Sequence, residues 1–158
     1  MILKFMERKI PPLLLMLIFG TVMWWHSRNY SSFLFEGKLS FILSILAFSL
    51  GGAIVIYAVG LFKKNDTTVD PTNPSKSSAL VTEGIYKFTR NPMYLGFSFI
   101  LVGWGFYLGT ESIMFSFGFI LYLSCFQIKN EERELEKIFG RDYVEYKKRV
   151  GRWLSFKI

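Results

Sequence analysis

Two stretches of the chain gather the side chains best suited to chemistry. The first runs Ser78-Ala-Leu-Val-Thr-Glu-Gly-Ile-Tyr-Lys-Phe-Thr-Arg-Asn-Pro-Met-Tyr-Leu-Gly96. The second runs Gln127-Ile-Lys-Asn-Glu-Glu-Arg-Glu-Leu-Glu-Lys-Ile-Phe-Gly-Arg-Asp-Tyr-Val-Glu-Tyr146. Their residue types suit binding. A helix start offers free N–H groups and a positive dipole end. Carboxylates accept hydrogen bonds, and tyrosines present aromatic faces that attract cations. Neither stretch holds Cys or His. The single cysteine, Cys125, and the single histidine, His26, lie elsewhere and cannot build a disulfide or a zinc site, so no metal is expected.

Local structure accounts for part of both stretches. Asn91 is a good helix N-cap and Pro92 suits the first helical position. Thr-Arg-Asn-Pro would then start a helix, with Arg90 at the lipid headgroups. The second stretch reads as a solvated, charged helical extension in which mixed-sign neighbours such as Arg133 and Glu136 add tenths of a kcal/mol. Gly140 would end that helix, and Tyr143 and Tyr146 would pack a short final helix against Phe139.

The elements that must position these residues are apolar helices. Half the composition is hydrophobic, 18% is aromatic and Phe alone occurs 17 times, which points to a membrane class. The net charge of +7 would allow nucleic acid. The charges, however, lie between long uncharged runs, and no nucleic-acid partner is expected. There are four apolar segments: Ile10 to Trp25, Leu39 to Phe62, Met93 to Gly109 and Ser112 to Ile128. The first resembles a signal peptide but ends in Met-Trp-Trp-His without a small-residue cleavage site, so a retained anchor is expected. The last two are near the short limit for a span and read as a tight hairpin. Gly51, Gly52, Gly60, Gly96, Gly103 and Gly105 punctuate the second and third segments, where small residues let helix backbones approach closely.

Lys and Arg concentrate before the first segment (Lys4, Arg8, Lys9), between the second and third (Lys63, Lys64, Lys76, Lys87, Arg90) and after the fourth. With four spans these parts fall on one side, which places both termini in the cytoplasm. A prokaryotic plasma membrane is expected, and the basic tail can meet anionic headgroups. One membrane domain, 1–158, results. Residues 1–62 form two N-terminal transmembrane helices, 63–92 a cytoplasmic connector, and 93–158 the hairpin and C-terminal helices.

The pairing of Gly-x-Tyr-x-x-x-Arg-Asn-Pro-x-Tyr-x-Gly with Glu-Glu-x-x-Leu-x-x-x-Phe-Gly-x-x-Tyr-x-x-Tyr, separated by one apolar hairpin, resembles the isoprenylcysteine carboxyl methyltransferases. It is also similar to the related phospholipid methyltransferases. The resemblance covers roughly Ser78 to Val150. It implies an all-α integral membrane bundle of about four transmembrane helices with C-terminal cytoplasmic helices, and no Rossmann fold. No Gly-x-Gly-x-x-Gly occurs here. The implied cofactor is S-adenosylmethionine, in a pocket closed by the C-terminal helices. Its binding segments would fall on Ser78, Ala79, Leu80, Val81, Tyr86, Asn91, Pro92, Met93, Tyr94 and Glu131.

Two departures bear on the acceptor. Family members often have His where this chain has Asn91, and Asn cannot titrate. The prenylcysteine enzymes tend to carry Arg where this chain has Gln127, and a neutral amide holds a carboxylate less well. Gln127 and Arg90 are the candidate substrate contacts, with Arg90 the candidate catalytic residue. The expected acceptor is lipophilic or membrane-delivered: a carboxylate, a thiol or an amine. A second reading is a non-enzymatic membrane or lipid-binding protein that kept the fold, working through its basic tail. A channel or transporter is disfavoured, because no ionisable residue lies deep within the apolar segments.

Overall fold

A computed structural model describes residues 10–30, 37–65 and 79–155. The described residues are helical and contain no strand. Helix α1 is Pro12–Asn29 and α2 is Lys38–Lys64. After a 3₁₀ turn at Gly84–Lys87 comes α3, Pro92–Leu108. Helix α4, Ile113–Tyr122, runs through a π-helical stretch, Leu123–Ile128, into α5, Lys129–Phe139. Gly140, at φ 52°, turns the chain into α6, Arg141–Arg149.

Helices α2 and α3 form the closest pair. Glycine is required there by contact distance. A Cβ on Gly51 would lie 2.6 Å from the Gly96 carbonyl, and one on Gly96 would lie 2.6 Å from a Val55 methyl. A Cβ on Gly103 would meet the Ser44 carbonyl at 3.0 Å. Gly105 faces Ile113 across the hairpin, at 2.6 Å from such a Cβ. Gly52 and Gly60 face open space, so close packing does not require glycine at either position. The α2–α3 pair is antiparallel, and Ser40 Oγ donates to the Phe106 carbonyl at 2.7 Å near its far end. Helix α1 joins through Trp104 Nε1, which donates to the Gly20 carbonyl at 3.0 Å, and through an edge-on contact of Phe19 with Phe119.

The outward faces stay apolar. Leu13, Leu17 and Ile18 on α1, Phe41, Ile45 and Ile56 on α2, and Met114, Phe117 and Leu121 on α4 are exposed. Exposed apolar side chains on three helices fit a lipid-facing surface. Two helices are long and apolar enough to cross a membrane, Lys38–Lys64 and the continuous Ile113–Phe139, while Pro92–Leu108 is a shorter apolar helix. This is an all-α membrane helical protein. Helix α1 ends in His-Ser-Arg-Asn, which lowers its apolar character. Of the basic residues that set the expected orientation, Lys4, Arg8, Lys9, Lys76 and Lys157 lie outside the described residues.

Two apolar clusters divide the interior. One joins Leu15, Met23, Tyr94, Leu101, Phe119, Leu123 and Ile128 along the bundle. The other joins Ala58, Leu61, Val81, Tyr86, Tyr143, Tyr146 and Val150 at the Lys- and Arg-rich end, with Phe139 packed against it. Tyr143 and Tyr146 therefore dock α6 onto the end of α2 and the segment 79–91. Asn65 Nδ2 and Lys64 Nζ both donate to Glu83 Oε1, at 3.2 and 3.4 Å, and this pins that segment to the end of α2.

Candidate functional site

The two sequence stretches meet at the polar end of the bundle. Three of the named residues form one hydrogen-bonded group. The Tyr94 hydroxyl donates to Glu131 Oε1 at 2.5 Å, and Gln127 Nε2 donates to the same oxygen at 3.2 Å. Tyr94 and Gln127 are buried, at 4% and 1% exposure, so this carboxylate is oriented from the protein interior. The π-helical stretch just before α5 helps aim it. A π turn inserts one residue, which rotates the succeeding helix by about 100° relative to a regular α-helix. Gln127 lies inside that stretch and Glu131 one turn after it.

Glu132, the next residue, points elsewhere, because adjacent helix positions do not share a face. It is buried and held by two arginines. Arg90 Nη1 lies 3.0 Å from Glu132 Oε1, with both side chains 9% exposed. Arg152 grips the carboxylate with both prongs, Nε to Oε1 at 3.1 Å and Nη2 to Oε2 at 2.7 Å. The Arg90 charge, expected to face the headgroups, is turned inward onto Glu132. The second stretch is likewise not wholly solvated: Asn130 and Glu132 are buried. Arg90 Nη1 is close to Glu132 but off-line for a hydrogen bond, and Arg90 Nε has no partner among the described residues.

Asn91 occupies the N-cap position of α3, with Pro92 at N1, but its side chain does not cap the helix. Its Nδ2 donates to the Arg152 carbonyl at 2.8 Å, while its backbone N–H donates to Thr89 Oγ1 at 3.1 Å. The side chain does not use the first-turn N–H groups of α3.

The remaining candidates form a wall. Val81 and Tyr86 are buried in the polar-end cluster, with Leu80 and Met93 packed against it, and Pro92 is buried. The Tyr86 ring meets Phe62 edge-on at 5.4 Å, and its carbonyl accepts the Tyr146 hydroxyl at 2.7 Å. Burial raises the Tyr86 and Tyr146 hydroxyls well above the usual phenol range. Burial likewise pushes Tyr143 from 10.0 up to about 12, with the Glu132 charge adding to the rise and Arg90 opposing it. Ala79 is described; Ser78 lies outside the described residues. Sequence reasoning missed Glu132, Thr89, Arg152 and Trp153. The Glu131-Glu132 doublet was the one available signal, since two carboxylates on different faces need two sets of partners. No group of His, Cys, Asp and Glu able to hold a metal occurs among the described residues.

The arrangement defines a helical membrane protein whose polar end holds an oriented carboxylate beside a helix start. A family model described as phospholipid methyltransferase matches residues 39–142, and the chain belongs to that family. Relatives include a protein-S-isoprenylcysteine O-methyltransferase of Saccharomyces cerevisiae, 29% identical over 120 residues, covering 75% of this chain and 50% of the relative. The B form from Arabidopsis thaliana is 37% identical over 78 residues, 49% of this chain and 40% of the relative. The human enzyme of that name is 34% identical over 84 residues, 52% of this chain and 29% of the relative. The chain therefore spans half or less of the length of these curated relatives. No solved structure matches it.

Proposed function

We propose that this protein transfers a methyl group from S-adenosylmethionine to a lipophilic or membrane-delivered acceptor. The observation that carries this reading is the Tyr94–Gln127–Glu131 group at the start of α3, inside the matched family region. The donor set fits such a cofactor. Glu131 accepts from hydroxyl or ammonium groups, and the first turn of α3 is suited to a carboxylate tail. Leu80, Val81 and Met93 supply apolar walls, with Tyr86 behind them. In this reading Ser78 and Ala79 extend the cofactor segment, and Asn91 and Pro92 fix the helix start.

When bound, S-adenosylmethionine supplies an electrophilic methyl group on a sulfonium. The chain's part is to orient and to exclude water, because in-line displacement is accelerated mainly by positioning and desolvation. A strong base is not obligatory for an acceptor that arrives as a carboxylate or thiolate. Arg90, bound to Glu132, acts in this reading by fixing the segment before α3, and Gln127 is the candidate acceptor contact. Four spans with both termini in the cytoplasm would place this site at the cytoplasmic face.

The acceptor is identified by incubating the purified protein in lipid vesicles with methyl-labelled S-adenosylmethionine and one of three acceptors: a prenylated cysteine, an aminophospholipid or a hydrophobic thiol. Label transferred to one class and absent from the others assigns it. No transfer to any of them, nor to a total lipid extract, removes the enzymatic reading and favours the lipid-binding one.

A further inference from the structure

Beyond α6 the chain leaves extended at Val150, bends at Arg152 and Trp153, and folds back against the segment before α3. Val150 has φ −116° and ψ 131°. The Arg90 N–H donates to the Gly151 carbonyl at 3.0 Å, and the Ser155 N–H donates to the Phe88 carbonyl at 2.8 Å. Arg152 is engaged at both ends. Its carbonyl accepts Asn91 Nδ2 at 2.8 Å and Thr89 Oγ1 at 3.3 Å, and its guanidinium takes both oxygens of Glu132. Trp153 Nε1 donates to Ser124 Oγ in the π-helical stretch at 3.1 Å, and the indole packs against the Tyr94, Leu123 and Ile128 cluster. All of these strap residues lie beyond the region matched by the family model, 39–142.

We propose that Arg152 is a positioning residue for the cofactor site, setting the spacing between the turn that carries Asn91 and Tyr94 and the helix face that carries Gln127 and Glu131. The inference rests on the methyltransferase reading. One residue holds the position just before Tyr94 and Pro92 through its carbonyl, and the position just after Glu131 through its side chain. A two-pronged guanidinium–carboxylate pair fixes orientation as well as distance. The bridge itself uses Thr89, Asn91 and Glu132, and does not draw on Tyr94, Gln127 or Glu131. A ligand that engages Glu131 competes with the Tyr94 and Gln127 donors, but it does not compete for Glu132 or for the Arg152 carbonyl. The spacing therefore survives when Tyr94 and Glu131 turn to the ligand.

The test is calorimetric titration of the full chain in detergent with S-adenosylhomocysteine, at a temperature where each variant is folded without ligand. Arg152→Ala is expected to weaken binding about tenfold or more. Arg152→Lys should recover only part of this, because an ammonium lacks the fork. Trp153→Phe, which keeps the packing and loses the bond to Ser124, should weaken binding about threefold. Glu136→Gln removes the exposed pair with Lys147, at 3.1 Å, and should leave affinity unchanged. Wild-type affinity in folded Arg152→Ala, with only a lowered unfolding midpoint, would mean a structural role alone and overturns the proposal, while the methyltransferase reading stands. If Arg152→Ala does not fold, undiminished affinity in both Arg152→Lys and Trp153→Phe overturns it. Failure of the wild type to bind removes both the reading and the inference.

Discussion

Tyr94 and Glu131, 37 residues apart in the chain, are joined by a hydroxyl–carboxylate bond of 2.5 Å that ties the first turn of α3 to the first turn of α5. A hydrogen bond to a charged acceptor contributes about 1.5–3 kcal/mol. Tyr94→Phe removes that donor and leaves Gln127 on the same oxygen. The unfolding midpoint is expected to fall and S-adenosylhomocysteine affinity to drop several-fold. A Phe variant equal to wild type in both would show that the bond orients nothing.

Arg90→Ala tests where the Arg90 charge acts. The substitution removes one of two cations from buried Glu132; leaving a buried charge wholly unpaired costs about 3–5 kcal/mol, and the retained Arg152 pair keeps the loss below that. The expected result is a measurable loss of thermal stability in detergent. A fully stable variant with only a raised KM for a carboxylate acceptor would instead return Arg90 to the substrate.

These two residues show how far the sequence carries. The family resemblance singles out Tyr94, Gln127 and Glu131, Gln127 as a departure from it, and helix spacing puts Gln127 and Glu131 on one face. The inward turn of Arg90 was not legible. Its partner Glu132 sits in a charged run that reads as solvated, and the second cation, Arg152, comes after the last helix with no periodic pattern to mark it. The π-helical stretch was hidden too, because Leu-Ser-Cys-Phe-Gln-Ile carries no composition signal for an inserted residue. The four apolar segments became helices close to their expected bounds, since long uncharged runs leave few alternatives.

The glycines of the α2–α3 contact make a paired prediction. Gly96→Ala forces a Cβ to within 2.6 Å of Val55 and 2.7 Å of the Gly51 carbonyl, an overpacking expected to cost about 1–3 kcal/mol. Gly52→Ala meets nothing within 4 Å and should be neutral or stabilising by up to about 1 kcal/mol, since Ala is the better helix former. Unfolding midpoints of the two variants check this, and equal effects would contradict the close approach.

The buried tyrosines at the polar end predict an alkaline limit. Tyr143 rises from 10.0 to about 12 in the folded chain, and Tyr86 and Tyr146 are raised further. The folded state then holds protons that the unfolded state releases, so this contribution is complete below about pH 10 and is lost as pH rises through the folded values. Thermal unfolding measured from neutral to strongly alkaline pH should show the midpoint falling above about pH 10. Tyr143→Phe should make that fall shallower.

The most direct test of the methyltransferase reading is calorimetric titration of the detergent-purified wild type and Glu131→Ala with S-adenosylhomocysteine. Binding by the wild type, lost in a folded Glu131→Ala variant, is the predicted result. Equal binding by both would remove Glu131 from the site, and no binding by either folded protein, in detergent and in lipid, would contradict that reading.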